Sequence, residues 1–248
     1  MTANPHGRKL RIPEIFHSKW DEMLLRYNSI IDRVNKISFN HYQRTARFRT
    51  RYGIVVNLND FGSRMSSVLY KLQWAMRSLE YLTEFHEKRA KFREELFRGI
   101  PEAFVFNADV FFCFAYTALD VIAGVIDKVV ETGIKARDIS FVNVIDFLAG
   151  PNSPYIGSVF LELKSESKAG WIYEFRQYRV FFTHYGRIPL WGELRSAGEV
   201  KHFMLPDDPQ NNPFDHKKER EIAPYCQEVL LKELDLMTAL LDFVDKVI

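Results

Sequence analysis

In the stretch Glu174-Phe175-Arg176-Gln177-Tyr178-Arg179-Val180-Phe181-Phe182-Thr183-His184-Tyr185-Gly186, an arginine, Arg179, is followed after four residues by a histidine, His184. An imidazole titrates near neutral pH and can give or take a proton there. A guanidinium is a permanent cation that grips a phosphate through two parallel N–H bonds. His184 is therefore a candidate acid/base group and Arg179 a candidate phosphate clamp, with Arg176, Thr183 and Tyr185 beside them as supporting groups. Helical geometry sets a condition on the pair. Five residues turn an ideal helix through about 500°, which leaves the two side chains roughly 140° apart. They meet on one phosphate only at a distorted helix end, which Gly186 would permit, or across two subunits. A purely structural role is open to both residues, because cations near a helix C-terminus offset its dipole and satisfy its last carbonyls. Asp120 belongs with this group. It stands in the apolar run Ala115-Tyr116-Thr117-Ala118-Leu119-Asp120-Val121-Ile122-Ala123, where an unpaired carboxylate would be costly, and Arg176 or Arg179 is its expected partner.

A second set of chemistry-bearing residues lies near the N-terminus. From Arg33 to Gly53 the chain carries Arg33, Lys36, Arg44, Arg47, Arg49 and Arg51 with no acidic residue, interleaved with Phe39, His41, Tyr42, Phe48 and Tyr52. Arginines alternating with aromatics can hold phosphates and stack on exposed bases; the same stretch can equally be a solvated face paired with acidic surface. The wider charge distribution agrees with either. Residues 1 to 100 hold 19 Lys+Arg against 10 Asp+Glu, and residues 101 to 248 hold 15 against 22, so a formal net charge of +2 conceals a basic half and an acidic half.

Several common catalytic devices are absent from the sequence. It contains no Gly-rich loop ending in Gly-Lys-Ser/Thr, no GxGxxG, no GxSxG and no HExxH. Its two cysteines, Cys113 and Cys226, are too far apart to suggest a zinc site and too few for a disulfide framework. Glu14 with His17 and Glu199 with His202 have the Glu-x-x-His spacing of di-iron bundles, yet both pairs fall beside prolines or in broken pattern. No metal and no cofactor is expected.

These groups need elements to position them, and the recurring pattern is helical. Ser18 can cap a first helix in which Trp20, Leu24, Tyr27, Ile31, Val34 and Ile37 follow at three- and four-residue steps. A second spans about Ser63 to Arg98. A third, about Glu102 to Glu131, is apolar nearly all round, and Gly133 ends it. Ser140 to Ala149 reads as a short helix stopped by Gly150-Pro151, and Ser153-Pro154 opens another piece. Ser167 to Tyr185 reads as one helix carrying Arg179 and His184. From 187 to 214 prolines and the run DDPQNNP point to a surface excursion, and a final helix covers about Glu219 to Val247. Two extended runs, Gly53 to Leu58 and Val200 to Leu205, could pair as a ribbon. The expectation is an all-α bundle of about five main helices, a single domain over residues 1 to 248, with at most a short two-strand ribbon. With 47% hydrophobic residues, 21 Phe, 11 Tyr and 4 Trp, the chain has ample material for a core. Asn107, Asp109, Asp120 and Asp127 interrupt its most apolar run, and the N-terminus has no signal-like apolar core, so we expect a cytoplasmic protein without membrane contact.

The helix carrying Arg179 and His184 resembles the motif helix of the HEPN superfamily, the higher-eukaryote and prokaryote nucleotide-binding helical domains. The run Ala115 to Ala123, with Ala115, Leu119 and Asp120, resembles the A-x-x-x-L-D helix that stands before that motif. The likeness covers about residues 100 to 190, and it departs at Val180, where many active members have Asn, Asp or His. It implies a helical homodimer that cleaves RNA without metal, with His184 as acid/base and Arg179 as clamp, and a protein regulator as in toxin or defence systems. The alternative is a non-catalytic helical dimer that serves as an interaction or nucleotide-binding module.

Overall fold

The computed structural model describes residues 14–42, 47–49, 55–88, 101–155, 157–184, 191–194, 200–218 and 220–247. Its central element is α3, Glu102–Val130, which follows Pro101 and is buried over Phe104, Phe111, Phe112, Ala115, Ala118, Leu119, Ile122 and Ala123 among others. By length and composition α3 is apolar enough to cross a bilayer, and 61% of its most apolar window lies inside the protein. Small residues on several faces let neighbours approach closely. Its C-terminus closes in a left-handed residue, Glu131 at φ 48°, whose N–H bonds to the Asp127 carbonyl. Thr132 then donates to the buried Asp127 carboxylate.

Two long helices flank it. α1 is Glu14–Tyr42 and α2 is Leu58–Lys88. α2 runs along α3 and buries Met65, Val68, Leu72, Met76, Leu79, Leu82 and Phe85; residues 89 to 98 of the expected helix lie outside the described residues. On α1 the buried stripe is Met23, Ile30, Val34 and Ile37, whereas Leu24 stays exposed. The helix is thus turned slightly from the expected register, toward α7, Ile222–Val247. Ion pairs tie those two helices at Arg33 with Asp242, 2.7 Å, and at Arg26 with Asp235. Pro224 falls in the first turn of α7, where its missing N–H breaks no helical bond.

Between α3 and α7 the chain makes α4, Phe141–Leu148, α5, Ser158–Ala169, and α6, Trp171–His184. The single helix expected over Ser167 to Tyr185 is two. Gly170 separates them, because Glu166 folds back so that its carboxylate accepts the Trp171 N–H at 2.9 Å. A Cβ at residue 170 would stand 1.8 Å from the Glu166 Oε2. The expected piece at Ser153-Pro154 is a turn, in which the Ser153 hydroxyl accepts the Tyr155 N–H at 3.2 Å.

The fold is all-α with minor ribbons. The two extended runs do form strands, yet they do not pair with each other. β2, Val55–Asn57, pairs with β1, Arg47–Arg49. β4, Val200–Leu205, pairs with β3, Trp191–Leu194, and with β5, Arg220–Glu221. Each takes the partner nearest in sequence, where closing the loop costs least. β4 also corrects the expected surface excursion: Phe203, Met204 and Leu205 are buried. Phe203 packs on Phe104 and Phe85 with ring centroids 4.6 and 5.6 Å away. One contiguous cluster of buried apolar side chains draws on all seven described α-helices and on β4.

Candidate functional site

α6 begins at the Glu166 cap and turns Ile172, Phe175, Tyr178 and Phe181 inward. Phe112 of α3 receives them, with ring centroids 5.8 Å from Phe175, 5.1 Å from Tyr178 and 5.4 Å from Phe182. This anchoring fixes which side faces water. Arg176, Thr183 and His184 are exposed, and Arg179 and Val180 are half-buried at the margin. The Thr183 hydroxyl donates to the Arg179 carbonyl at 2.9 Å. The Arg179 guanidinium lies over the Tyr116 ring of α3, 6.0 Å from its centroid, so the aromatic face steadies a cation that still reaches solvent.

α6 is a regular α-helix through His184. The helical angle of roughly 140° between Arg179 and His184 is therefore kept, and one chain does not turn both onto the same phosphate. Arg176, Val180 and Thr183 share one strip of the helix, with Arg179 on one edge and His184 on the other.

Asp120 corrects an expectation. Its carboxylate accepts the Phe141 N–H at 3.0 Å and makes no ion pair with Arg176 or Arg179. The physical reason is the start of α4, whose first N–H groups have no helical acceptor. Asp120 satisfies the first of them, and the Ser140 hydroxyl satisfies the Asn143 N–H at 3.3 Å. Burial pushes the Asp120 carboxyl above its ordinary range, opposed by that N–H and by the nearby Arg179 and Arg176. The same neighbours act on the Tyr116 phenol, which burial and then Asp120 push up while the two arginines pull down. The Cys113 thiol is likewise raised, by burial and Asp109 against Arg179 and Thr183, and so is held as a thiol rather than as a nucleophilic thiolate.

Tyr185, Arg44 and Arg51 lie outside the described residues. Arg47 and Arg49 are opposite ends of β1, with their side chains outside the description, as are those of Glu14, His17 and His202. Among the described residues no group of three or more His, Cys, Asp or Glu gathers as a metal site would require.

The structure also assembles a network that spacing did not suggest. Arg220 of β5 pairs with Glu174 at 3.0 Å and donates to the Tyr178 hydroxyl at 3.2 Å, and that hydroxyl donates to the Pro206 carbonyl at 2.7 Å. Burial pushes the Tyr178 phenol up to about 12. These bonds hold the loop after β4 against the far side of α6, beside an open pocket of about 470 Å³ lined by Lys168, Tyr173, Gln177, Asp208 and Lys218. The network fixes the rotation of α6; Arg220 lies too far along the chain for any local pattern to have revealed it.

No known protein family, curated protein or solved structure matches this chain.

Proposed function

We propose that the outward face of α6 is a phosphate-binding surface directed at RNA, and that the protein is a HEPN-like, metal-independent endoribonuclease acting as a homodimer. The observation that carries this reading is that the cations of α6 are unspent. Among the described residues Arg176 and His184 make no hydrogen bond or ion pair, Arg179 lies over Tyr116 without an ion pair, and Asp120, whose charge both arginines feel, has its carboxylate engaged by a backbone N–H. A cation left without a protein anion is free to take a phosphate oxygen. His184 would move the proton of the 2′-hydroxyl or of the leaving 5′-oxygen, and Arg179 would offset the charge that grows on the phosphate. Because the two diverge on one helix, each active centre would combine His184 of one subunit with Arg179 of the other. A non-catalytic dimer that binds RNA or a nucleotide through the same cations is the second reading. It is favoured by one observation: Val180, apolar, occupies the centre of the strip between them.

The test is cleavage of single-stranded RNA in the presence of EDTA. Wild type should cleave, and His184→Ala should reduce the rate by about 10² to 10⁴, the ordinary worth of acid/base catalysis, with an unchanged melting temperature because the side chain is exposed. A varied RNA set left intact by wild type would select the non-catalytic dimer. Cleavage that survives His184→Ala would remove this site altogether.

A further inference from the structure

On the side of α3 away from α6, three aromatic rings gather at the surface instead of in the core. Tyr70 is 54% exposed, Trp74 is 36% exposed, and Phe114 of α3 is half-buried. Their centroids are 6.2 Å apart for Tyr70 with Trp74, 6.2 Å for Trp74 with Phe114 and 6.4 Å for Tyr70 with Phe114. Two cations rest on them: the Lys71 Nζ is 5.2 Å from the Phe114 centroid, and the Arg77 guanidinium is 5.4 Å from that of Trp74. From Arg64 to Arg77 α2 carries three cations and no acid, and from Val110 to Leu119 α3 carries no charged residue, with Glu80 and Asp109 just beyond these stretches.

The geometry points to a stacking platform for single-stranded RNA, built by Tyr70, Trp74 and Phe114, with Lys71 and Arg77 as its phosphate partners. A base stacked on an aromatic ring is worth more than an exposed cation held over the same ring. An arriving base therefore displaces the ammonium or guanidinium from its ring. The displaced group, on a flexible stem, turns to the adjoining phosphate, so its charge stays paired. Each nucleotide supplies a π-face and a phosphate together, which matches rings that carry cations over them. The platform also leads toward α6. Phe114 on one flank of α3 and Tyr116, which carries Arg179, on the other are separated by the half-exposed Val110, Cys113 and Thr117, a distance of about one helix diameter, roughly 10 Å. The inference rests on the RNA reading above for its ligand class, and on different side chains for its support.

The experiment is a titration with a 2′-O-methyl oligouridine, which cannot be cleaved at the 2′ position, read by anisotropy and by intrinsic tryptophan fluorescence. Wild type should bind the oligonucleotide, and binding should quench its tryptophan fluorescence. Trp74→Ala should weaken binding about tenfold and abolish most of the quenching, with its circular dichroism melt unchanged. Lys71→Gln and Arg77→Gln should each lower the salt slope of binding by about one. Equal affinity of wild type and Trp74→Ala overturns the platform. So does a Trp74→Ala chain whose light-scattering mass falls while its RNA affinity stays, since the rings would then pack a second copy. Binding that depends on Trp74 without any RNA cleavage by wild type leaves the platform standing and sinks the endoribonuclease. Cleavage with an unaltered KM in Trp74→Ala does the reverse, and wild type that binds no RNA sinks both.

Discussion

Glu233 sits in α7 at 0% exposure, and among the described residues neither of its carboxylate oxygens has a hydrogen-bond partner. Burial pushes its carboxyl well above the ordinary range, so the folded chain keeps a proton that the unfolded chain releases above a pH of about 4.3. The native state then binds more protons than the unfolded state, and the stability tied to this group is lost as pH rises through the folded value. Glu233→Gln retains the shape without the proton. Its denaturation midpoint should stand little above that of wild type at pH 5 and increasingly above it at pH 8; equal midpoints at pH 8 would mean that Glu233 is ionised against a cation. Nothing in the spacing of Leu230-Leu231-Lys232-Glu233-Leu234 separates a buried glutamate from a solvated one. Asp120 is the opposite case. Its apolar surroundings in the sequence demanded a partner, and it has one, but the partner is a backbone N–H, a donor every residue except proline carries and no residue type advertises.

At the scale of the element, Asp120 is half of the N-terminal cap of α4. Asp120→Ala should cost about 1 kcal/mol, the usual loss for a capping side chain. Asp120→Asn, which still offers an acceptor to the Phe141 N–H, should recover most of it. Urea denaturation measures both, and a loss of 3 to 5 kcal/mol in the alanine variant would instead indicate a stranded buried charge. Although α3 closes at Glu131 and not at the expected Gly133, the start of α4 at Ser140 was legible. The break between α5 and α6 was not, because the device there is a glutamate, four residues before a glycine, folding over it. Both strand-forming runs were legible and their pairing was not, since short extended runs carry no register and the nearest available neighbour won in each case.

At the scale of the whole molecule, the divergence of Arg179 and His184 on one regular helix makes the proposed active centre depend on assembly. A composite centre exists only in a dimer that brings two α6 faces together. Light scattering at micromolar concentration should therefore return twice the chain mass of 29.2 kDa, and a value equal to one chain would remove the shared centre, leaving only phosphate binding to α6. The sequence by itself determined the all-α class, the nearly all-round apolar character of α3, and the presence of a basic, histidine-bearing helix, because these depend on residues a few positions apart and helical geometry translates such spacing into faces. Tertiary structure alone decided that Asp120 meets Phe141 instead of an arginine, that Arg220 holds Tyr178 and Glu174, that Arg179 lies on Tyr116, and that Tyr70, Trp74 and Phe114 share one surface. Those meetings join segments 20 to 70 residues apart, and they depend on how each helix is rotated and offset against its neighbour, which the packing of side-chain volumes selects and a three- or four-residue period does not encode.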